Sequence, residues 1–344
     1  MLTHFSTFLA KTILVLLLAC SVTIQAQNGI HEVTVYAFPT MYPFSWDNPA
    51  SLYKTAKHCF YKTMSLKDNY LLGHMAICLN SPLLPHRRYM AMTAGNRKQR
   101  VDLILKDKIG LAILGATLEG KIETEEHIVY MTKVYAQRQK IGFITFKVSE
   151  VAMERMLDFI AQFSSQQPGE GHPSNYYGGY YWPLYENEGA GCSAFALGVL
   201  AAASILPAES KAWLKDVNIP MSLIGGEYRL NKHISFRRIL RSKTWYEGYG
   251  VANVDYVNVK TYDPSALLDW ILQRRAMNDS VFVPTTQGDM PGLTVDCTSM
   301  TLPVEKPYFK KREEPNLFLD CFRKKLKQDA SRPAPLCFFI KSAL

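Results

Sequence analysis

The stretch Gly189-Ala190-Gly191-Cys192-Ser193-Ala194-Phe195-Ala196-Leu197-Gly198-Val199-Leu200 carries no charge, and it constrains the chain more than any other segment. A helix that is apolar around its whole circumference has to be covered on every side. These residues therefore predict a buried helix, entered from a glycine-containing loop, running to Leu206 and stopped by Pro207. Cys192 stands where loop gives way to helix. A sulfur there meets unpaired N–H groups and the positive end of the helix dipole, which favour thiolate over thiol. The thiolate is the nucleophile, so the remaining sequence is searched for its base.

With 344 residues, 48% apolar and 20% charged, the chain has enough apolar material for a substantial core and is not disordered by composition. The net charge of +9 favours acidic partners. Its densest basic cluster, Lys306, Lys310, Lys311 and Arg312 with Arg323, Lys324, Lys325 and Lys327, is interrupted by Glu313, Glu314 and Asp320 and reads as a solvated face. Nucleic acid is not an expected partner, and the tyrosines at 176–181 read as groove wall and packing.

The N-terminus reads as a secretory signal peptide over residues 1–26. Lys11 precedes the apolar run Thr12–Cys20, and small residues lead to a cleavage point after Ala26. Leu17-Leu18-Ala19-Cys20 also approximates a bacterial lipobox, which would place a lipid anchor on Cys20. An exported protein, periplasmic or secreted, is the expectation. Of the remaining cysteines, Cys297, Cys321 and Cys337 are the candidates for bridging, while a working Cys192 has to stay free.

Glu32–Pro39, Tyr70–Leu79, Tyr89–Ala94, His127–Val134 and Lys140–Val148 read as strands. Ile109–Gly115 reads as a strand or a short buried element. Ser149 caps an amphipathic helix whose apolar side carries Val151, Met153, Met156, Leu157, Ile160 and Phe163. Later helices are expected around Lys211–Leu214, from Asp263 as N-cap with Pro264 behind it, and over 316–328. Gln166–Gly171 reads as a loop.

Among the histidines, His74 lies within a strand behind Gly73, which leaves room for close approach, and it is the chosen base. His127 follows the acidic run Glu123, Glu125 and Glu126, which reads as a solvated edge. His74 and Cys78 cannot share a metal ion, since four residue steps along a strand separate them by roughly 13 Å. No phosphate-binding loop, dinucleotide fingerprint, nucleophile-elbow serine or zinc-helix motif is present.

Gly73-His74-Met75-Ala76-Ile77-Cys78-Leu79, followed over a hundred residues later by Gly191-Cys192-Ser193-Ala194-Phe195, resembles the circularly permuted papain-like proteins related to the NlpC-type cell-wall enzymes. The resemblance covers about residues 65–206. It implies an α+β fold with a permuted papain-like core, an antiparallel sheet packed on helices, over 27–206. Residues 207–344 would form a C-terminal extension packed on that core. It also implies Cys192 as nucleophile and His74 as base, with Thr93 or Asn96 on or near the neighbouring strand as the third member. The Cys192 backbone N–H would form the oxyanion site, with Asn187 as a candidate helper. No cofactor or metal is implied. The expected activity is that of an exported cysteine-dependent amidase or peptidase, with cell-wall peptide as first substrate. The alternatives are a lipid or lipoprotein acyltransferase and a catalytically inactive secreted binding protein.

Overall fold

The computed structural model describes residues 29–65, 72–165, 172–277, 279–314 and 316–330. The expected signal peptide with Cys20 and Ala26, the head of the expected strand at Tyr70 and Leu71, the loop at 166–171 and Cys337 lie outside the described residues.

Up to the cysteine helix the chain forms β1 (His31–Phe38), α1 (Pro49–Ser65), β2 (His74–Asn80), β3 (Arg88–Met90), β4 (Met92–Ala94), α2 (Arg97–Leu105), β5 (Leu118–Ile122), α3 (Glu125–Gln137), β6 (Gly142–Val148), α4 (Glu150–Ser164), β7 (Tyr176–Tyr177) and α5 (Cys192–Ala202). Then come β8 (Leu214–Pro220), α6 (Phe236–Arg241), β9 (Tyr256–Tyr262), α7 (Pro264–Ala276), β10 (Val283–Gln287), β11 (Met290–Cys297) and α8 (Leu317–Ala330). The fold is mixed α+β. A sheet in the order β10-β11-β6-β1-β2-β3 is accompanied by a small sheet β4-β5-β7 and a ribbon β8-β9.

The main sheet is antiparallel except where β11 runs parallel to β6. Its pleat separates two cores. Met75, Ile77 and Leu79 of β2 pack with the apolar sides of α4 and α5. Ala76 and Cys78 join Tyr36 and Phe38 of β1 and Ile128, Met131 and Tyr135 of α3 in a second cluster. Helix α5 is apolar all round and is buried almost throughout. Burial of Phe195, Leu197, Val199 and Leu200 contributes roughly 2 kcal/mol each, which fixes the helix and the position of its first residue. Capping follows the sequence signals at two helices. The Ser149 side chain accepts from Ala152 N at the start of α4, and Asp263 accepts from Ser265 N at the start of α7.

Several segments depart from expectation. His127–Val134 is helical, as part of α3. Thr124 caps that helix by accepting from His127 N, Glu125 and Glu126 complement its positive end, and Ile128, Met131 and Tyr135 form its buried stripe. Residues 89–94 form two strands. β3 pairs with β2, the chain passes the buried Ala91, and β4 pairs with β5 in the other sheet. Ala208–Trp213 is a 3₁₀ turn rather than an α-helix, whereas Leu111–Leu114 is the short buried element expected as the alternative to a strand, wound as a 3₁₀ turn. Helix α5 ends at Ala202 because Ser204 adopts a left-handed backbone conformation. On α4, Val151 faces solvent and Ala152 and Phe159 complete the buried side. The segment expected as an extension packed on the core is woven into it: β10 and β11 supply two strands of the main sheet, and α7 packs on β1, β6 and β11. Cys297 and Cys321 are free thiols.

Candidate active site

Cys192 is the first residue of α5, and Gly191 precedes it with no side-chain cap. The first intrahelical bond runs from Phe195 N to Gly191 O, so the N–H groups of Cys192, Ser193 and Ala194 have no carbonyl partner within the helix. The approach to this point is close. A Cβ at Gly189 would overlap the Tyr176 carbonyl oxygen, and one at Gly179 would overlap that of Leu114. Ala190 N donates to Tyr176 O at 3.1 Å. Gly189 lets Tyr176 and Tyr177 lie directly against the loop that delivers the cysteine, and the Tyr177 hydroxyl donates to Cys192 Sγ at 3.7 Å. The Arg100 guanidinium from α2 lies 5.9 Å from the centre of the Tyr177 ring.

His74 opens β2, with Gly73 before it at φ +84°. That glycine serves the turn into the strand, because the left-handed conformation disfavours any other residue. In register, His74 lies opposite Phe38, and their ring centres are 5.8 Å apart. The imidazole hydrogen-bonds to Glu123 and is coupled in charge to Cys192. Its Nε2 lies 2.9 Å from Glu123 Oε2, which leaves Nδ1 for the sulfur. The backbone N–H of Met75 also favours the thiolate.

Glu123 is the third member of this chain of contacts. It directly follows β5 and precedes the cap of α3, and its backbone N–H donates to Ala91 O at 2.9 Å. That bond ties it to the point where the return strand changes sheets. Glu123 Oε1 meets His127 Nε2 at 3.3 Å, so one carboxylate spans two imidazoles. The expected third members are elsewhere. Asn96 caps α2 by accepting from Gln99 N, and Thr93 lies opposite Lys121 in the β4–β5 pair, while Glu123 takes the bond to the His74 ring. Asn187 has a left-handed backbone at φ 58° and lines a cavity of about 380 Å³ beside α8. Among the described residues, no hydrogen bond joins it to Cys192 or His74.

All three groups are withdrawn from water. Cys192 is 7% exposed, and the His74 and Glu123 side chains are 9% and 10% exposed. Burial opposes the thiolate, but the neighbouring His74 and its charge, the Met75 N–H and the Tyr177 hydroxyl outweigh it and lower Cys192 to about 6. Burial likewise opposes the imidazolium, and the facing thiolate together with Glu123 raises His74 to about 10. Glu123 stays below its ordinary value despite burial, through the bond and charge of His74 and the charges of His127 and Lys121. Between these limits the site holds a thiolate–imidazolium pair. The other thiols move the opposite way: burial pushes Cys78 up to about 11 and also raises Cys297 and Cys321.

The sequence carried a signal for Glu123 that charge clustering obscured. Thr124 followed by Glu125 and Glu126 is a helix start, which places Glu123 at the junction of β5 and α3. Tyr177, read as packing, touches the sulfur. Among the described residues, no group of three His, Cys, Asp or Glu side chains is arranged to hold a metal ion, and no helix is long and apolar enough to cross a membrane. No family model, curated protein or solved structure matches this chain.

Proposed function

We propose that this protein is an exported thiol-dependent acyl-transfer enzyme built on a permuted papain-like core. The observation that carries the reading is the buried series Cys192–His74–Glu123, in which His74 is hydrogen-bonded to Glu123 and coupled in charge to Cys192, assembled from a helix start, a strand start and a strand end far apart in sequence. Taking three ionisable groups out of water is expensive, and such groups with opposed shifts concentrate at working sites. A helix-borne cysteine preceded in the chain by a strand-borne histidine, with an antiparallel sheet packed on that helix, supports the papain-like reading.

In the proposed reaction, the Cys192 thiolate attacks an amide or ester carbonyl. The oxyanion is received by the unpaired N–H groups at the start of α5. The His74 imidazolium donates its Nδ1 proton to the departing amine or alcohol, which leaves an acyl-enzyme and a neutral ring. Water or an amine then gives a proton back to His74 as it attacks, releasing the acyl group and the thiolate. Glu123 holds the ring through Nε2 and compensates its charge. Tyr177 and the Met75 N–H keep the sulfur ionised.

Cell-wall peptide is the first substrate class, with a lipid or lipoprotein acyl group as the second. The inactive binding protein loses its main support, because the histidine has an anionic partner. Protein lacking the signal segment, with intact Cys192 or with Cys192→Ala, incubated with wall peptides and acyl esters, tests the proposal. Release of amine or alcohol by the intact protein alone supports it. Equal behaviour of the two folded proteins on both substrate classes sinks it.

A further inference from the structure

We propose that the outer face formed by α1 and α6 is a docking surface for anionic lipid membranes. The net charge of +9 is distributed unlike the basic clusters in the sequence suggest. In the C-terminal cluster, Lys306 pairs with Asp158, Lys310 with Glu305, and Arg312 with Glu188. A second concentration of basic residues lies elsewhere in the chain. Residues 48–66 contain three lysines and residues 230–246 five lysines and arginines, and neither segment contains an acid.

Structure joins the two segments. Tyr53 of α1 stacks on Phe236 of α6 at 5.4 Å, and Ala50 N donates to Ser242 O at 3.1 Å. Lys54, Lys57, His58 and Tyr61 recur at i, i+3, i+4 and i+7, so they share one helix face. That face is opposite the buried Leu52 and Cys59. With Tyr53 and Leu240 these side chains line an open groove of about 690 Å³. Lys54, Lys57, Arg237, Arg238, Arg241 and Lys243 are exposed, and none has an ion-pair partner among the described residues. The Lys57 ammonium lies 5.7 Å from the centre of the Tyr61 ring.

Charge alone would suit any polyanion. Exposed apolar side chains at Tyr61 and in the loops flanking α6 select a lipid surface. Tyr61 is 60% exposed, and the loops entering and leaving α6 present Leu230 at 89% and Val251 and Val254 at 63% each. Leu230 sits at a turn tip with a left-handed backbone, a position where a polar residue would be ordinary. Exposed apolar groups on the same stretches of chain as these cations match the interfacial region of an anionic bilayer, where rings and stems sit among headgroups and charges face lipid phosphates. They add nothing to phosphate contacts along a nucleic-acid backbone.

The test uses the full chain in a sedimentation assay with phosphatidylcholine vesicles, with and without phosphatidylglycerol. The apolar N-terminal run is common to all variants and cancels in the comparison. Intact protein is expected to bind the anionic vesicles more tightly, and increasingly so as salt is lowered. Each basic residue near such a surface contributes about fivefold, so Lys54→Glu, Lys57→Glu and Arg238→Glu together weaken binding by roughly a hundredfold or more. Leu230→Ser with Val251→Ser and Val254→Ser weakens it while leaving the salt slope unchanged. A control with equal charge change, Lys133→Glu, Lys147→Glu and Lys211→Glu, leaves most of the binding intact. Equal losses in the two charge-reversed proteins, or a duplex oligonucleotide bound more tightly than the anionic vesicles, would overturn the proposal.

Discussion

Replacing Glu123 by glutamine keeps the side chain's shape and removes its charge. In the intact site Glu123 Oε2 lies 2.9 Å from His74 Nε2, with both side chains about nine-tenths buried. Exchanging a charge-assisted hydrogen bond for a neutral one in such a setting costs about 1–2 kcal/mol, which is about one pH unit. His74, raised to about 10 in the intact protein, is therefore expected to titrate about one unit lower in Glu123→Gln. The thiolate edge near pH 6 is set chiefly by the His74 charge, which is still present at that pH, so it is expected to stay within a few tenths of a unit. Histidine-ring NMR reads the first effect, with His74→Ala identifying the signal, and thiolate ultraviolet absorbance reads the second. Stability should respond in the same direction. A raised histidine pKa contributes stability that is full below the ordinary value of 6.5 and lost as pH rises through about 10. The stability gap between the two proteins is thus expected at neutral pH and should narrow above the upper limit. An unmoved His74 midpoint, or a ring in the intact protein titrating near 6.5, would refute the reasoning.

Other parts of the site give independent predictions. Tyr177→Phe removes a donor to Cys192 Sγ, and the thiolate absorbance edge should rise by less than about one pH unit, because hydrogen bonds to sulfur at this length are weak. Arg312→Ala leaves the Glu188 carboxylate, 2% exposed, without its bidentate partner. Denaturant unfolding should show a loss of about 3–5 kcal/mol, much of it recovered when Glu188→Leu is combined with Arg312→Leu. Gly189→Ala forces a Cβ into the Tyr176 carbonyl, so a thermal melt should show a fall corresponding to about 1–3 kcal/mol. An unchanged melt would mean that the loop and 176–179 are not in the described contact.

The cysteine helix was legible because its signal is local: an uncharged apolar run behind glycines can only be a covered helix. The β2 strand and the caps at Ser149 and Asp263 were legible for the same reason. Glu123 is not, because residues 89–94 read as one strand, which places the third residue along it. The change of sheet at Ala91 moved the neighbouring position to the end of β5, a tertiary event with no local mark. The alternation in His127–Val134 imitated a strand, and only the cap at Thr124 argued otherwise. Parallel pairing of β11 with β6 is equally silent in sequence, since residues 142–148 and 290–297 meet only in the folded sheet.

The central claim is that Cys192 is an activated nucleophile, whereas burial raises Cys78, Cys297 and Cys321. It is tested most directly by briefly exposing the folded protein at neutral pH to an activated acyl ester, followed by intact and peptide mass spectrometry. The account predicts one acyl group per chain, on Cys192, with none on the Cys192→Ala protein and much slower turnover of the adduct in His74→Ala. An adduct spread evenly over the other cysteines, or an unlabelled Cys192 in folded protein, would contradict it.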